Sequence, residues 1–172
     1  MNRPPAWTDW IDWIGSARSR HPPKTLHTGA TTMNSGYLIL YHKQSTSART
    51  RFLRHGHGGI CGIDALPEDA LLDPTRGDDD STLTTHPGML LRNAENRLKL
   101  PRGSLESDLG FRCRVVADDT AGDVHLAHFV SIDPPFEAAH HVGAAFIDLT
   151  QARGLPSTEL ELLRLAYEHV LG

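Results

Sequence analysis

Cys113 and His128 are the two residues of this chain whose types and spacing could build a nucleophile. If residues 111–117 and 124–132 form a hairpin across a six-residue connection, Ala117 faces Val124, Val115 faces Leu126, Cys113 faces His128 and Phe111 faces Val130. Facing Cβ atoms lie about 4.5 to 5.5 Å apart in such a pair. An imidazole at that range can lower the pKa of a thiol, as a catalytic cysteine requires. The same side is otherwise apolar, however, and a buried cysteine beside a core histidine packs as a small hydrophobe. No oxyanion donor and no third orienting group is legible, so the packing role is the stronger expectation. The opposite side presents Arg112, Arg114, His125 and Phe129, a surface that an anion could contact and that water alone could also cover.

A second constellation runs Arg54-His55-Gly56-His57-Gly58-Gly59-Ile60-Cys61-Gly62. Glycines tolerate positive φ and let successive amides point inward, which is the physics of an anion nest. With Arg49 and Arg51 close in sequence, Arg54, His55, His57, Gly58 and Gly59 are the expected contacts of a small anion, against the plainer reading of a bulged strand end or turn. The run has no Gly-Lys-Ser/Thr ending, and Cys61 stands where a dinucleotide fingerprint needs its third glycine. His55 and His57 would project to one side of an extended strand, but a metal needs three or four converging ligands. His140 and His141, adjacent on a helix, point about 100° apart. No metal is assigned. Nucleophile-elbow, H-E-x-x-H, kinase and paired-carboxylate patterns are absent, and no motif names a cofactor.

Composition bounds the rest. At 172 residues, with 39% apolar and 22% charged residues, the sequence reads as one domain, 1–172, with enough apolar residues for a core. A net charge of −4 and a pI near 6.2 give no general attraction to nucleic acid or to an anionic membrane. The Arg49, Arg51 and Arg54 stretch, with Tyr37, Tyr41 and Phe52 interleaved, is followed directly by acidic sequence that blunts it. No apolar run is long enough for a membrane span, and the N-terminus lacks a secretion-signal pattern, so a cytoplasmic location is expected. Two cysteines without a C-x-x-C pair imply free thiols. Arginine exceeds lysine 14 to 3, a bacterial-type coding bias that weakens any single arginine as a functional signal.

The elements that must position these residues follow from periodicity. Trp7, Trp10, Ile11 and Ile14 predict an amphipathic N-terminal helix, which either covers the protein's own sheet or docks on a partner or a second copy. Residues 37–43 and 49–55 predict a first hairpin. Residues 64–80 carry seven acids against Arg76 alone, and 73–87 reads as a mobile acidic loop. A helix is expected over 88–100, then the second hairpin. A short helix follows, capped by Asp133 and ended by Gly143, and then a short strand over 144–149. The clearest helix is 158–171, with a Thr158/Glu161 capping box and an apolar side of Leu160, Leu163, Tyr167, Val170 and Leu171. Strands and helices mix without strict alternation, which predicts an α+β fold with a mostly antiparallel sheet. Residues 124–149 could form a parallel unit.

The function expected from these features is that of a small accessory protein without catalytic machinery, binding a small anionic ligand or a protein partner and forming a homodimer. The alternative is a small enzyme using Cys113 or Cys61 with a nearby histidine, or a His-based acid/base pair, on an anionic substrate. Nucleic acid and membranes are not expected partners.

Overall fold

The computed structural model describes residues 33–62, 64–73, 86–118 and 120–172. The expected Trp-rich helix and residues 74–85 of the acidic loop lie outside them. Among the described residues six strands form one mixed sheet: β1 (Met33–Lys43), β2 (Thr50–Arg54), β3 (Leu71–Leu72), β4 (Leu105–Ala117), β5 (Thr120–Phe129) and β6 (Ala145–Ile147). Three described helices accompany it, α1 (Pro87–Leu98), α2 (Phe136–His141) and α3 (Ser157–Leu171). The class is α+β.

The spatial order is β3-β4-β5-β1-β2-β6. β1 runs parallel to β5, from Met33 against Thr120 to Tyr41 against His128, while the other neighbours pair antiparallel. β1 is central because it is apolar on both sides. Ile39 and Tyr41 enter one core with Phe52, Val124 and Leu126, whereas Leu38 and Leu40 enter another with Leu53, Ala127 and Phe129. α3 closes the first core through Leu162, Leu163, Ala166 and Val170. On the other face α1 supplies Ala94 and Leu98, and Ala139 of α2 joins them. Burial on both faces explains strands that read as apolar runs rather than alternations.

Several sequence expectations are corrected. Residues 124–149 are not a parallel unit: β6 runs antiparallel to β2, with β1 and β2 between it and β5. The second hairpin turns over two residues rather than six, with Ala117 against Thr120. Thr120, Gly122 and Asp123 are turn formers by composition, yet here they extend the ladder. The pairing also shifts between Asp108 and Cys113, so that residues 109–112 bulge opposite His125. Cys113 therefore meets Val124, and His128 meets Glu106. The two lie four residues apart along β5, about 13 Å at roughly 3.3 Å per residue.

The last helix starts one residue early, and its buried side is Glu159, Leu162, Leu163, Ala166 and Val170. Leu160 and Leu171 are exposed. No Thr158/Glu161 box forms. Thr158 Oγ1 donates to the Ala70 carbonyl at 2.6 Å, anchoring the helix start to another segment, while Glu161 pairs with Arg164. The capping box that does form joins Asp148 and Gln151 in the 3-10 turn Leu149–Gln151. Asp133 does not cap α2, whose N-cap is Pro135 without a side-chain bond; Gly143, at φ 71°, carries the chain off its end.

Candidate functional site

The glycine-rich run forms a tight reversal after β2. His55 N–H donates to the Gly59 carbonyl at 2.7 Å, and Gly58 N–H donates to the His55 carbonyl at 2.9 Å. Gly58 holds φ 95°, a region a Cβ disfavours. Arg54 Nε donates to the Gly58 carbonyl at 3.0 Å, so this arginine braces the turn. His57 Nδ1 accepts from Gly59 N–H, and its Nε2 lies 3.2 Å from the Gly62 carbonyl. Those partners select the Nε2–H tautomer. Beyond the turn, Gly62 N–H donates to the Leu38 carbonyl and Cys61 bridges to Ile39, extending the sheet edge along β1.

A carboxyl group of the protein itself meets the end of this run. Ile60 N–H donates to Glu159 Oε2 at 2.5 Å. A Cβ placed on Gly59 would lie 2.3 Å from Glu159 Oε1, so glycine at 59 makes room for that carboxylate. Glu159 projects from the first turn of α3 and is 2% exposed. The sequence reading expected a small bound anion at this turn and did not single out Glu159, the side chain that the structure places beside residue 59. Cys61 is buried in the same region, and burial, with Glu159 adding, pushes its thiol well above the usual range. That thiol stays protonated and is a poor nucleophile.

Beside the turn lies a cleft of about 330 Å³. Its floor is Leu38 and Leu40 of β1, and α1 closes it with Leu90 and Asn93; His55 and Asp64 supply further polar groups. The His55 ring stacks on His57 with centroids 5.5 Å apart and planes 13° from parallel. Burial, reinforced by the charges of His57 and Arg97, lowers its pKa to about 4. His55 is accordingly a neutral imidazole at pH 7. Its Nε2 is buried and makes no hydrogen bond among the described residues.

The other expected site residues do not converge here. Arg112 and Arg114 line a separate groove of about 470 Å³ that also holds Asp73 and Glu161, carboxylates that offset the guanidinium charge. Cys113, half-buried, faces that groove, whereas His128 stands beside Tyr41. Asn93, Asp64 and Glu159 were not singled out by sequence reasoning. No local spacing marks them: Asp64 and Asn93 reach the cleft from separate segments, and Glu159 meets the end of the turn from α3. Among the described residues, no group of three or more His, Cys, Asp or Glu is arranged to hold a metal ion, and no helix is long and apolar enough to cross a membrane. No protein-family model matches the chain, and a search of curated proteins finds no significantly similar sequence.

Proposed function

We propose that this protein is a non-catalytic binder of a small polar molecule, held in the cleft between β1, the glycine-rich turn and α1. The observation that carries the reading is the cleft itself, in which apolar walls from β1 and α1 surround the polar groups of His55, Asp64 and Asn93. Leu38, Leu40 and Leu90 offer an apolar floor, while Asn93 and Asp64 add an amide and an acceptor. This mixture of apolar walls with a few polar groups is the usual composition of a small-molecule site, and the volume falls at the small end of the roughly 300 to 1,000 Å³ range.

The charge of the ligand follows from the same groups. Ile60 N–H already binds Glu159 and the other amides of the turn are bonded within it, the imidazole is neutral and Asp64 is acidic. The cleft therefore favours an uncharged molecule, or one with hydrogen-bond donors, over the anion that the sequence suggested.

The test is a thermal-shift screen of neutral polar metabolites, followed by calorimetric titration of the compounds that stabilise. A ligand at a hundred times its Kd adds about 2.7 kcal/mol of stability. Binding that weakens at least tenfold in both Asp64→Ala and Asn93→Ala supports the proposal. It is abandoned if no compound stabilises the parent protein, or if the compounds that do bind both variants equally well.

A further inference from the structure

The glycine-rich turn reaches both faces of the sheet. His55 and Gly62 line the cleft beside α1, whereas Ile60 and Cys61, from the same run, are buried in the core that α3 closes. The peptide between Gly59 and Ile60 ties the two sides together. Its carbonyl accepts from His55 N–H at 2.7 Å, and its N–H donates to Glu159 Oε2 at 2.5 Å. A peptide group is planar, so whatever fixes its N–H also fixes its carbonyl. Hydrogen bonds in such a chain polarise one another.

The histidine rings depend on the same residue. Gly59 N–H donates to His57 Nδ1 at 3.2 Å, and His57 Nε2 lies 3.2 Å from the Gly62 carbonyl. The His57 ring is thereby held across the turn, and it offers the face on which the His55 ring stacks. Gly59 leaves no slack on the α3 side, because even a methyl group there would overlap the Glu159 carboxylate. The carboxylate also projects from a fixed base. Thr158, its neighbour in the first turn of α3, is bonded to the Ala70 carbonyl.

We propose that Glu159 is a positioning residue for the cleft: from α3, on the far face of the sheet, its carboxylate holds the Gly59–Ile60 peptide and, through it, the placement of the His55 and His57 rings. What this means for a ligand rests on the reading of the cleft as a binding site; what it means for the rings does not. Such coupling is reciprocal, so a ligand that orders the turn also tightens the start of α3.

The experiment is an NMR titration of the ¹⁵N-labelled full chain, following the His55 ring nitrogens in the parent, Glu159→Met and Glu159→Gln. Methionine keeps the length of the side chain and removes the acceptor, whereas glutamine keeps an acceptor oxygen for Ile60 N–H. Both remove the charge. In the parent, burial and the charges of His57 and Arg97 hold the ring at a pKa of about 4. In Glu159→Met the released turn admits water to the ring, and the midpoint should rise by about one unit or more toward the ordinary value. Loss of a negative charge acting directly on the ring would lower the midpoint instead, so the direction separates positioning from direct electrostatics. Glu159→Gln should titrate close to the parent. A compound found to bind the cleft should bind about tenfold or more weakly to Glu159→Met and nearly as well as to the parent in Glu159→Gln.

Thr158→Val loosens the same helix turn without touching the glycine run, and replaces Glu159→Met if that variant does not fold. It should raise the midpoint by a smaller amount. The proposal is overturned if the folded Glu159→Met, or Thr158→Val in its place, titrates as the parent does, or if Glu159→Gln shifts as far as Glu159→Met. It is equally overturned if a cleft ligand binds all three chains alike. A cleft that takes no compound leaves the ring result standing, so the two readings fail separately.

Discussion

His55 and His128 sit on opposite faces of one sheet, and their surroundings differ in the respect that matters most to an imidazole. His55 is shielded from water, stacked on a second histidine and influenced by Arg97, so every neighbour that shifts it disfavours a positive charge. His128 has a carboxylate beside Nε2 and a phenol against its ring. The same residue type becomes a neutral hydrogen-bonding wall in one place and a carboxylate-oriented group in the other. Neighbouring elements, rather than the histidines themselves, set that division.

Breaking the first site at its support should have the largest effect. Gly59→Ala drives a methyl group into the Glu159 carboxylate, which is fixed by Ile60 N–H, and should cost about 2 to 4 kcal/mol in urea denaturation. An unchanged midpoint would show that Glu159 moves aside freely and that the turn does not depend on it.

The pH response comes next. The folded-state pKa of His55 is depressed to about 4, so between pH 6.5 and 4 the unfolded chain takes a proton that the folded chain refuses. Stability is therefore lost as pH falls through that window, by about 3 kcal/mol at most. His55→Phe should flatten this part of the stability profile. If parent and variant keep parallel profiles from pH 7 to 4.5, His55 is not held neutral by the fold.

On the other face, Tyr41→Phe removes the bond to Asp108 and should cost about 1 kcal/mol. Burial and Asp108 raise the Tyr41 pKa to about 12, so the folded state favours the phenol and loses that advantage as pH rises through 10 to 12. Absorbance titration of the parent should show a late tyrosinate step that the variant lacks. If the variant instead loses amplitude near pH 10, Tyr41 ionises as an ordinary solvent-exposed phenol. Smallest of all, Arg164→Ala breaks exposed pairs with Glu161 and Glu168 on the solvent side of α3 and should leave the denaturation midpoint unchanged. A clear shift would mean that α3 depends on its outer face as well as on its buried one.

Much of the frame was legible because it is local. The apolar character of β1, the stop at Gly143 and the glycine turn all follow from short stretches of sequence. The register of β4 against β5 was not, because Gly122 and Asp123 resemble a turn and residues 109–112 bulge. The face of α3 was misplaced because Leu160, Leu162 and Leu163 admit two apolar stripes, and a buried carboxylate at Glu159 lies on the correct one. The buried carboxyl beside Gly59 was not legible, because Glu159 stands a hundred positions away in the chain. Likewise, Glu106 became the neighbour of His128 only through pairing that no spacing announces.

The parallel ladder at the centre of the sheet joins Met33 to Thr120 and Tyr41 to His128. Residues 44–119 separate its two strands in the chain. Closing so long a segment is entropically slow, whereas the β4–β5 hairpin can form early. Refolding should thus pass through a stage in which β1 still shows an oily, unpaired border, and dilute conditions or a chaperone would favour the productive route over aggregation.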